Sequence, residues 1–362
     1  MSPLEANTNA STSALASQWL LDNIRELSAA IVARTFASDR GLKKKYGNTG
    51  ASKCEEDAMY HLHFLSGAVA VDSEKIFVDY VGWAKILLCS RGIPLTDLTR
   101  TLDAMRHVLR RKAPKKFAAA LFKFVEAASA ALPNLPESAP PFIDPERPHS
   151  QLANSYLNSL LVFKRDEAIA CLPRELEAGL TFQDLLQYVL APVQQEVGRL
   201  WQEKRITVVQ EHYCTAASEM VLVSYRRKFL GTCRNVSALA ICADGEEHCM
   251  GIKMLSDLLE SDGWRTSYIG PKSPNVDVLD YLRKNRTDLI AISVTTPIHL
   301  NSAKRLITGI KALSGKASPA VLVGGAALNS EPDLWKRMGA DGWGGTVLEG
   351  LDVANRLAGE KN

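Results

Sequence analysis

The stretch Val236-Ser237-Ala238-Leu239-Ala240-Ile241-Cys242-Ala243-Asp244-Gly245-Glu246-Glu247-His248-Cys249-Met250-Gly251 decides the fold. Its first half is a nearly unbroken apolar run, the pattern of a strand buried on both faces. A polar turn follows, and helical spacing begins at about 249. The same alternation repeats downstream. Short apolar runs at Thr266–Ile269, Leu289–Ser293 and Ala320–Val323 alternate with helical stretches at about 249–262, 274–285, 300–313 and 331–338. A short strand near Asp341–Trp343 and a helix over 347–358 close the series. Strands separated by helices predict a five-stranded, doubly wound parallel sheet over 232–362. Ligands of such sheets bind beyond the carboxyl ends of the strands. The loops 243–250, 293–299 and 323–330 therefore hold the candidate site.

Upstream of Gly231 the period is helical. Amphipathic pieces at 151–163, 165–177, 181–202 and 207–229 suffice for a four-helix bundle over 150–231, with Pro192 expected to kink or restart the third. Before it, Pro133, Pro136, Pro140, Pro141, Pro145 and Pro148 mark 133–149 as a linker. Residues 17–132 read as a further all-helical domain. The Ser/Thr/Asn/Ala-rich residues 1–16 read as an unstructured tail.

Composition sets wide bounds. The 362 residues hold 43 Lys+Arg against 40 Asp+Glu, a net charge of +3, with 46% hydrophobic and 23% charged residues. These are ordinary globular values. No apolar run is long enough to span a bilayer, and the N-terminus lacks the basic start and apolar core of a signal peptide. The seven cysteines include no C-x-x-C pair, which fits reduced thiols in the cytoplasm. A zinc site from Cys242, His248 and Cys249 lacks a second ligand pair at metal-site spacing.

His248 follows the first strand, two residues after Glu246. An imidazole can ligate a metal through one nitrogen while the other donates to a carboxylate. Read alone, the loop serves equally as a solvated turn with a chance acidic neighbour. Gly251 is read as letting the next helix approach closely. Ser293 and Thr295 end the third strand with hydroxyls, and Gly324 and Gly325 end the fourth with no side chains, which is also what a simple turn requires. In the helical block, Trp201 is followed after nine residues by Glu211-His212. By themselves these read as a core tryptophan and a solvated pair.

Taken in order, the loops resemble the cobalamin-binding domain family, whose Rossmann-like domain is marked by Asp-x-His-x-x-Gly, then Ser-x-Leu, then Gly-Gly. This chain has Glu246 where Asp is usual and Thr295 where Leu is usual. The resemblance implies His248 as the lower cobalt ligand, with Glu246 behind it. The nucleotide tail would thread past Ser293 and Thr295 into a slot opened by Gly324 and Gly325. With that domain next door, Trp201, Glu211 and His212 resemble the Trp-x9-Glu-His motif of the helical cap in adenosylcobalamin-dependent photoreceptors. The resemblance implies Trp201 and Glu211 against the adenosyl group. It makes His212 an upper cobalt ligand after photolysis.

The N-terminal region resembles photocobilins, which also bind biliverdin. Tyr60, His61 and Phe64 are read as sharing a helix face, and Tyr60, His61 and Arg91 are the chemically suitable bilin contacts. An ordinary helical core accounts for the same residues. Repressor-type photoreceptors place a winged helix ahead of the cap, and no recognition-helix pattern is read here. The basic stretch Arg106–Lys116 reads as a solvated helix end, so nucleic acid is not expected as a partner. The combined expectation is a cytoplasmic, homo-oligomeric light sensor with no enzymatic turnover and no membrane contact, acting on an unknown downstream protein. The alternative is a corrinoid methyl carrier of a methyltransferase system, against which Trp201 and Glu211 speak. A plain cobalamin store leaves the cap residues without use.

Overall fold

The computed structural model describes residues 11–226, 229, 231–313 and 318–359. The chain divides into two compact units, 1–137 with 297–304, and 138–296 with 305–362.

The first unit is built from α1 (Thr12–Asp22), α2 (Ile24–Ser38), α3 (Arg40–Ala70), α4 (Glu74–Ser90), α5 (Leu95–Lys112) and α6 (Lys115–Ala131). Residues at helical spacing, among them Leu20, Leu27, Ile31, Leu62, Leu65, Phe77, Met105, Leu109 and Phe124, are buried as its core. Ser11 accepts a hydrogen bond from the Ala14 N–H, so α1 starts inside the stretch expected to be unstructured. The rest of that tail, residues 1–10, lies outside the described residues. Gly47, at φ +62°, interrupts α3 with a left-handed residue that favours glycine.

A buried polar pair sits in this core. His61 is 4% exposed and its Nδ1 lies 2.7 Å from the Tyr80 hydroxyl. Phe64 stacks on the Tyr80 ring at 3.6 Å between centroids. Burial pushes the His61 imidazole down to about 4. The unfolded chain takes up this proton near pH 6.5, whereas the fold takes it up only near pH 4. Stability from this site is therefore complete above pH 6.5 and lost as pH falls toward 4. At ~1.4 kcal/mol per pH unit the loss approaches about 3 kcal/mol. Urea unfolding at pH 7 and pH 4.5 is expected to show this drop in the wild type and a flatter response in His61→Gln. Equal slopes for the two proteins would refute the assignment.

In the second unit the chain forms α7 (Ser150–Leu161), α8 (Arg165–Ala170), α9 (Leu172–Glu177), α10 (Phe182–Asp184), a π-helical stretch Leu185–Leu190, α11 (Ala191–Gln202) and α12 (Val208–Arg226). The helix expected over 165–177 is two short ones, because Pro173 opens a new helix at its first turn. Pro192 lies in the first turn of α11, where the π-helical stretch gives way to α-helix, so the third helix restarts there as expected. The proline has no N–H and would clash with the carbonyl four residues back, and the wider π turn ahead of it absorbs both defects.

The sheet follows as β1 (Ser237–Cys242), α13 (Met250–Ser261), β2 (Arg265–Gly270), α14 (Asn275–Lys284), β3 (Leu289–Ser293), α15 (Leu300–Lys311), β4 (Ala320–Gly324), α16 (Leu334–Met338), β5 (Gly342–Gly344) and α17 (Val347–Gly359). All neighbours are parallel, in the order β2-β1-β3-β4-β5, the doubly wound arrangement read from the sequence. Cap helices and sheet share one continuous core, in which Tyr156, Leu186, Val189 and Leu222 join Ala238, Leu258, Leu322 and Leu351. The period change near 231 thus separates two kinds of element within one compact unit. Among the described residues no helix is long and apolar enough to cross a membrane.

Candidate functional site

The register aligns Cys242, Ser293, Gly324 and Gly344 in one row at the carboxyl edge of the sheet. The three expected loops leave from this row. Where β1 ends, Gly245 takes φ +87° and turns the chain so that Glu246 points inward.

Glu246 is 0% exposed, and all its hydrogen bonds are local to the site. Its Oε1 accepts from His248 Nδ1 at 2.6 Å, the His248 N–H at 3.0 Å and the Glu247 N–H at 3.1 Å. Its Oε2 accepts from the N–H groups of Thr295 at 3.0 Å and Thr296 at 2.7 Å. Burial opposes ionisation here. The donors from His248 and Thr296 outweigh it and hold the carboxyl down at about 2. An ionised carboxylate only accepts, so Nδ1 carries the proton and Nε2 keeps its lone pair. The hydrogen bond that His248 donates to Glu246 raises the His248 pKa against the opposing effect of burial, and the Glu211 charge adds to the rise. Glu211, on cap helix α12, is therefore close enough for its field to reach the imidazole.

The His248 side chain is 69% exposed, with no hydrogen-bond partner for Nε2 among the described residues. A Cβ at Gly251 would meet nothing within 4 Å. The close helix approach expected at Gly251 is thus not found, and the space a side chain there would take is open. An oriented imidazole beside open space fits a lower cobalt ligand. Thr295 Oγ1 donates to the His248 carbonyl at 3.4 Å. Ser293 is buried beside Gly324 across the β3–β4 pair. At Gly325, φ is +100° and a Cβ would fall 2.4 Å from the Val294 carbonyl oxygen, so backbone packing already demands this glycine. At Gly324 the Gly344 carbonyl would lie at 3.0 Å.

In the cap, Trp201 is half-buried on the last turn of α11. Glu211 is on the first turn of α12 with Thr215 Oγ1 3.2 Å from its Oε1, and His212 Nε2 is 3.3 Å from its Oε2. The His212 side chain is 76% exposed. Sequence reading missed Thr215, although its spacing from Glu211 puts it on the same helix face. It also passed over Thr296.

Of the three candidate bilin contacts, Tyr60 is 57% exposed while His61 is buried against Tyr80. Adjacent helix positions differ by about 100°, so the expected shared face does not form. Arg91 turns back to donate to the Leu87 carbonyl at 2.9 Å and to Ser90 Oγ at 3.0 Å.

Residues 236–352 match a family model described as B12 binding domain, and residues 152–223 match a second model of the same description. The HTH-type transcriptional repressor CarH of Myxococcus xanthus is 29% identical over 195 residues, which is 54% of this chain and 60% of the relative. The chain thus spans about three-fifths of the length of that curated relative. The monomethylamine corrinoid protein of Methanosarcina barkeri superposes with a TM-score of 0.52 at 16% identity, covering 58% of this chain and 99% of that one. That likeness is one of fold.

The relation to a transcriptional repressor overturns the expectation that nucleic acid is not a partner. The expectation rested on the lack of a recognition-helix pattern and on reading Arg106–Lys116 as a solvated helix end, whereas phosphate contact needs only local positive charge. The end of α5 and start of α6 do gather Arg110, Arg111, Lys112, Lys115 and Lys116. Glu246, His248, Trp201 and Glu211 thus lie within the matched segments, and the chain carries a B12-binding domain homologous to that of CarH.

Proposed function

We propose that this chain is a cytoplasmic, cobalamin-dependent light sensor rather than an enzyme, with adenosylcobalamin held between His248 and the cap. The observation that supports this most is the hydrogen bond between His248 and the buried Glu246, which orients the exposed imidazole and leaves Nε2 without a partner among the described residues. Adenosylcobalamin supplies a cobalt–carbon bond that light cleaves. His248 offers its Nε2 from below, and Glu246 holds the ring in that tautomer. Ser293, Thr295, Gly324 and Gly325 accommodate the nucleotide tail at the sheet edge. Trp201 and Glu211 would contact the adenosyl group, and His212 would be placed to offer a second imidazole in its absence. Loss of their partner leaves Trp201 and Glu211 beside a void that a close-packed bundle does not keep without cost. The cap then moves, which changes association with a second copy or a downstream partner. Biliverdin as a second chromophore in the helical unit rests on the resemblance of the N-terminal region to photocobilins.

The test is absorption and elution volume of protein supplied with adenosylcobalamin and biliverdin, in the dark and after illumination. A histidine-ligated cobalamin spectrum that changes with light, together with a shifted elution volume or altered partner binding, is the expected result. Identical size and partners in both states would remove the switch. A spectrum without a bilin band would remove the second chromophore.

A further inference from the structure

Behind Glu211 a chain of polar side chains runs into the bundle interior. Thr215 Oγ1 lies 3.2 Å from Glu211 Oε1 and 3.1 Å from Gln194 Oε1. Gln194, on α11, donates from Nε2 to Ser218 Oγ at 2.9 Å, and Ser218 Oγ is 3.2 Å from the Tyr156 hydroxyl on α7. Ser218 and Tyr156 are fully buried, so the inner end of the chain has no water to fall back on.

The hydroxyl of Thr215 has a single proton and two acceptors in reach. If it turns to Gln194, Glu211 Oε1 loses that donor. If the Gln194 amide rotates by half a turn, its N–H2 donates to Thr215 Oγ1 and its carbonyl accepts from Ser218, which accepts in turn from Tyr156. The Thr215 proton is then free for Glu211. The buried groups stay satisfied in both arrangements, so what Glu211 binds decides between them. The carboxylate's other oxygen faces His212, which leaves Oε1 as the atom this chain controls.

We propose that Thr215 and Gln194 are positioning residues that aim the Glu211 carboxylate, and thereby set the preference for a cobalamin whose upper group carries hydrogen-bond donors. Ser218 and Tyr156 anchor this relay in α12 and α7. The inference rests on the cobalamin reading above.

The experiment compares dark equilibrium binding of adenosylcobalamin and methylcobalamin to the full chain. Thr215→Val is expected to lower the preference for adenosylcobalamin about tenfold while leaving methylcobalamin affinity within about twofold, the effect of one lost bond to a charged group. Thr215→Ser restores the preference. Gln194→Glu keeps an acceptor for the Thr215 proton but has no N–H for Ser218, and repeats the loss without removing any hydroxyl. The double variant Glu211→Gln with Thr215→Val is no worse than Glu211→Gln alone, since both act on one contact. An unchanged preference in Thr215→Val and Gln194→Glu overturns the proposal. So do equal losses for both cobalamins, which mark a merely structural role, or losses that multiply in the double variant. A wild type that takes up neither cobalamin is a different failure: it removes the cobalamin reading, and this inference falls with it.

Discussion

Replacing Glu246 by alanine is expected to weaken cobalamin binding roughly 10- to 100-fold, the usual cost of losing the carboxylate behind a metal-ligating histidine. It is also expected to destabilise the ligand-free protein by about 3 kcal/mol, because buried donors lose their acceptor. The N–H groups of Thr295, Thr296 and His248 and the His248 ring all converge on this one carboxylate. His248→Ala separates the two effects. Its side chain is mostly exposed, so that variant loses the histidine-ligated spectrum with little change in stability. Glu246→Asp, one methylene shorter, is expected to retain part of both, since the same donors remain to be reached. Absorption titration with cobalamin and urea unfolding of the unloaded protein measure the two effects. A Glu246→Ala protein with wild-type spectrum and midpoint would end the case for this carboxylate.

The same residue shows what a sequence can and cannot disclose. Glu246 and His248 are two positions apart, so their pairing is visible in the chain itself. The Thr295 and Thr296 donors come from backbone 49 and 50 residues away, placed by the alignment of β1 with β3. No side-chain pattern encodes that. The central strands β1, β3 and β4 were readable because parallel strands buried on both faces are continuously apolar. The Thr215–Gln194 contact joins two helices whose facing register depends on packing, and only its half within α12 obeys a local rule. At Gly251 the expected close approach of the helix is absent, since a Cβ there meets nothing within 4 Å and the chain's own packing does not demand glycine. In the N-terminal unit, Tyr60 and His61 are both polar aromatics in a helical run, and only their different angular positions separate an exposed ring from a buried one.

In the cap's ion cluster only the helical spacing of Glu196, Arg199 and Glu203 was readable, not its burial or its contacts to the Pro-rich segment, and it carries the second large expected effect. Arg199 donates to Glu196 through Nε at 3.0 Å and Nη2 at 2.5 Å, and to Glu203 through Nη1 at 2.8 Å. The two carboxylates also accept from the Pro-rich segment, Glu196 from the Phe142 N–H at 2.9 Å and Glu203 from the Ala139 N–H at 3.3 Å. Pro140 and Pro141 have no N–H, so Ala139 and Phe142 hold the donors of that run, and α11 takes both. Burial disfavours the Glu196 charge, yet Arg199 and the Phe142 N–H outweigh it and keep its pKa below the usual value. Arg199→Met therefore strands the buried Glu196, leaves the half-buried Glu203 with only Arg205 at 3.7 Å, and is expected to cost about 3–5 kcal/mol in urea unfolding at pH 7. Protonation relieves stranded carboxylates, so the deficit should narrow as pH falls below the ordinary glutamate range. Adding Glu196→Leu and Glu203→Gln should recover most of the loss, because no carboxylate charge is then left without its arginine partner. Trp201 lies between Arg199 and Glu203 on the same turn of α11, so the clamp that fixes the Pro-rich segment also fixes the helix end that presents the tryptophan. Arg199→Met within about 1 kcal/mol of the wild type, the range of an exposed pair, would show that this cluster holds neither.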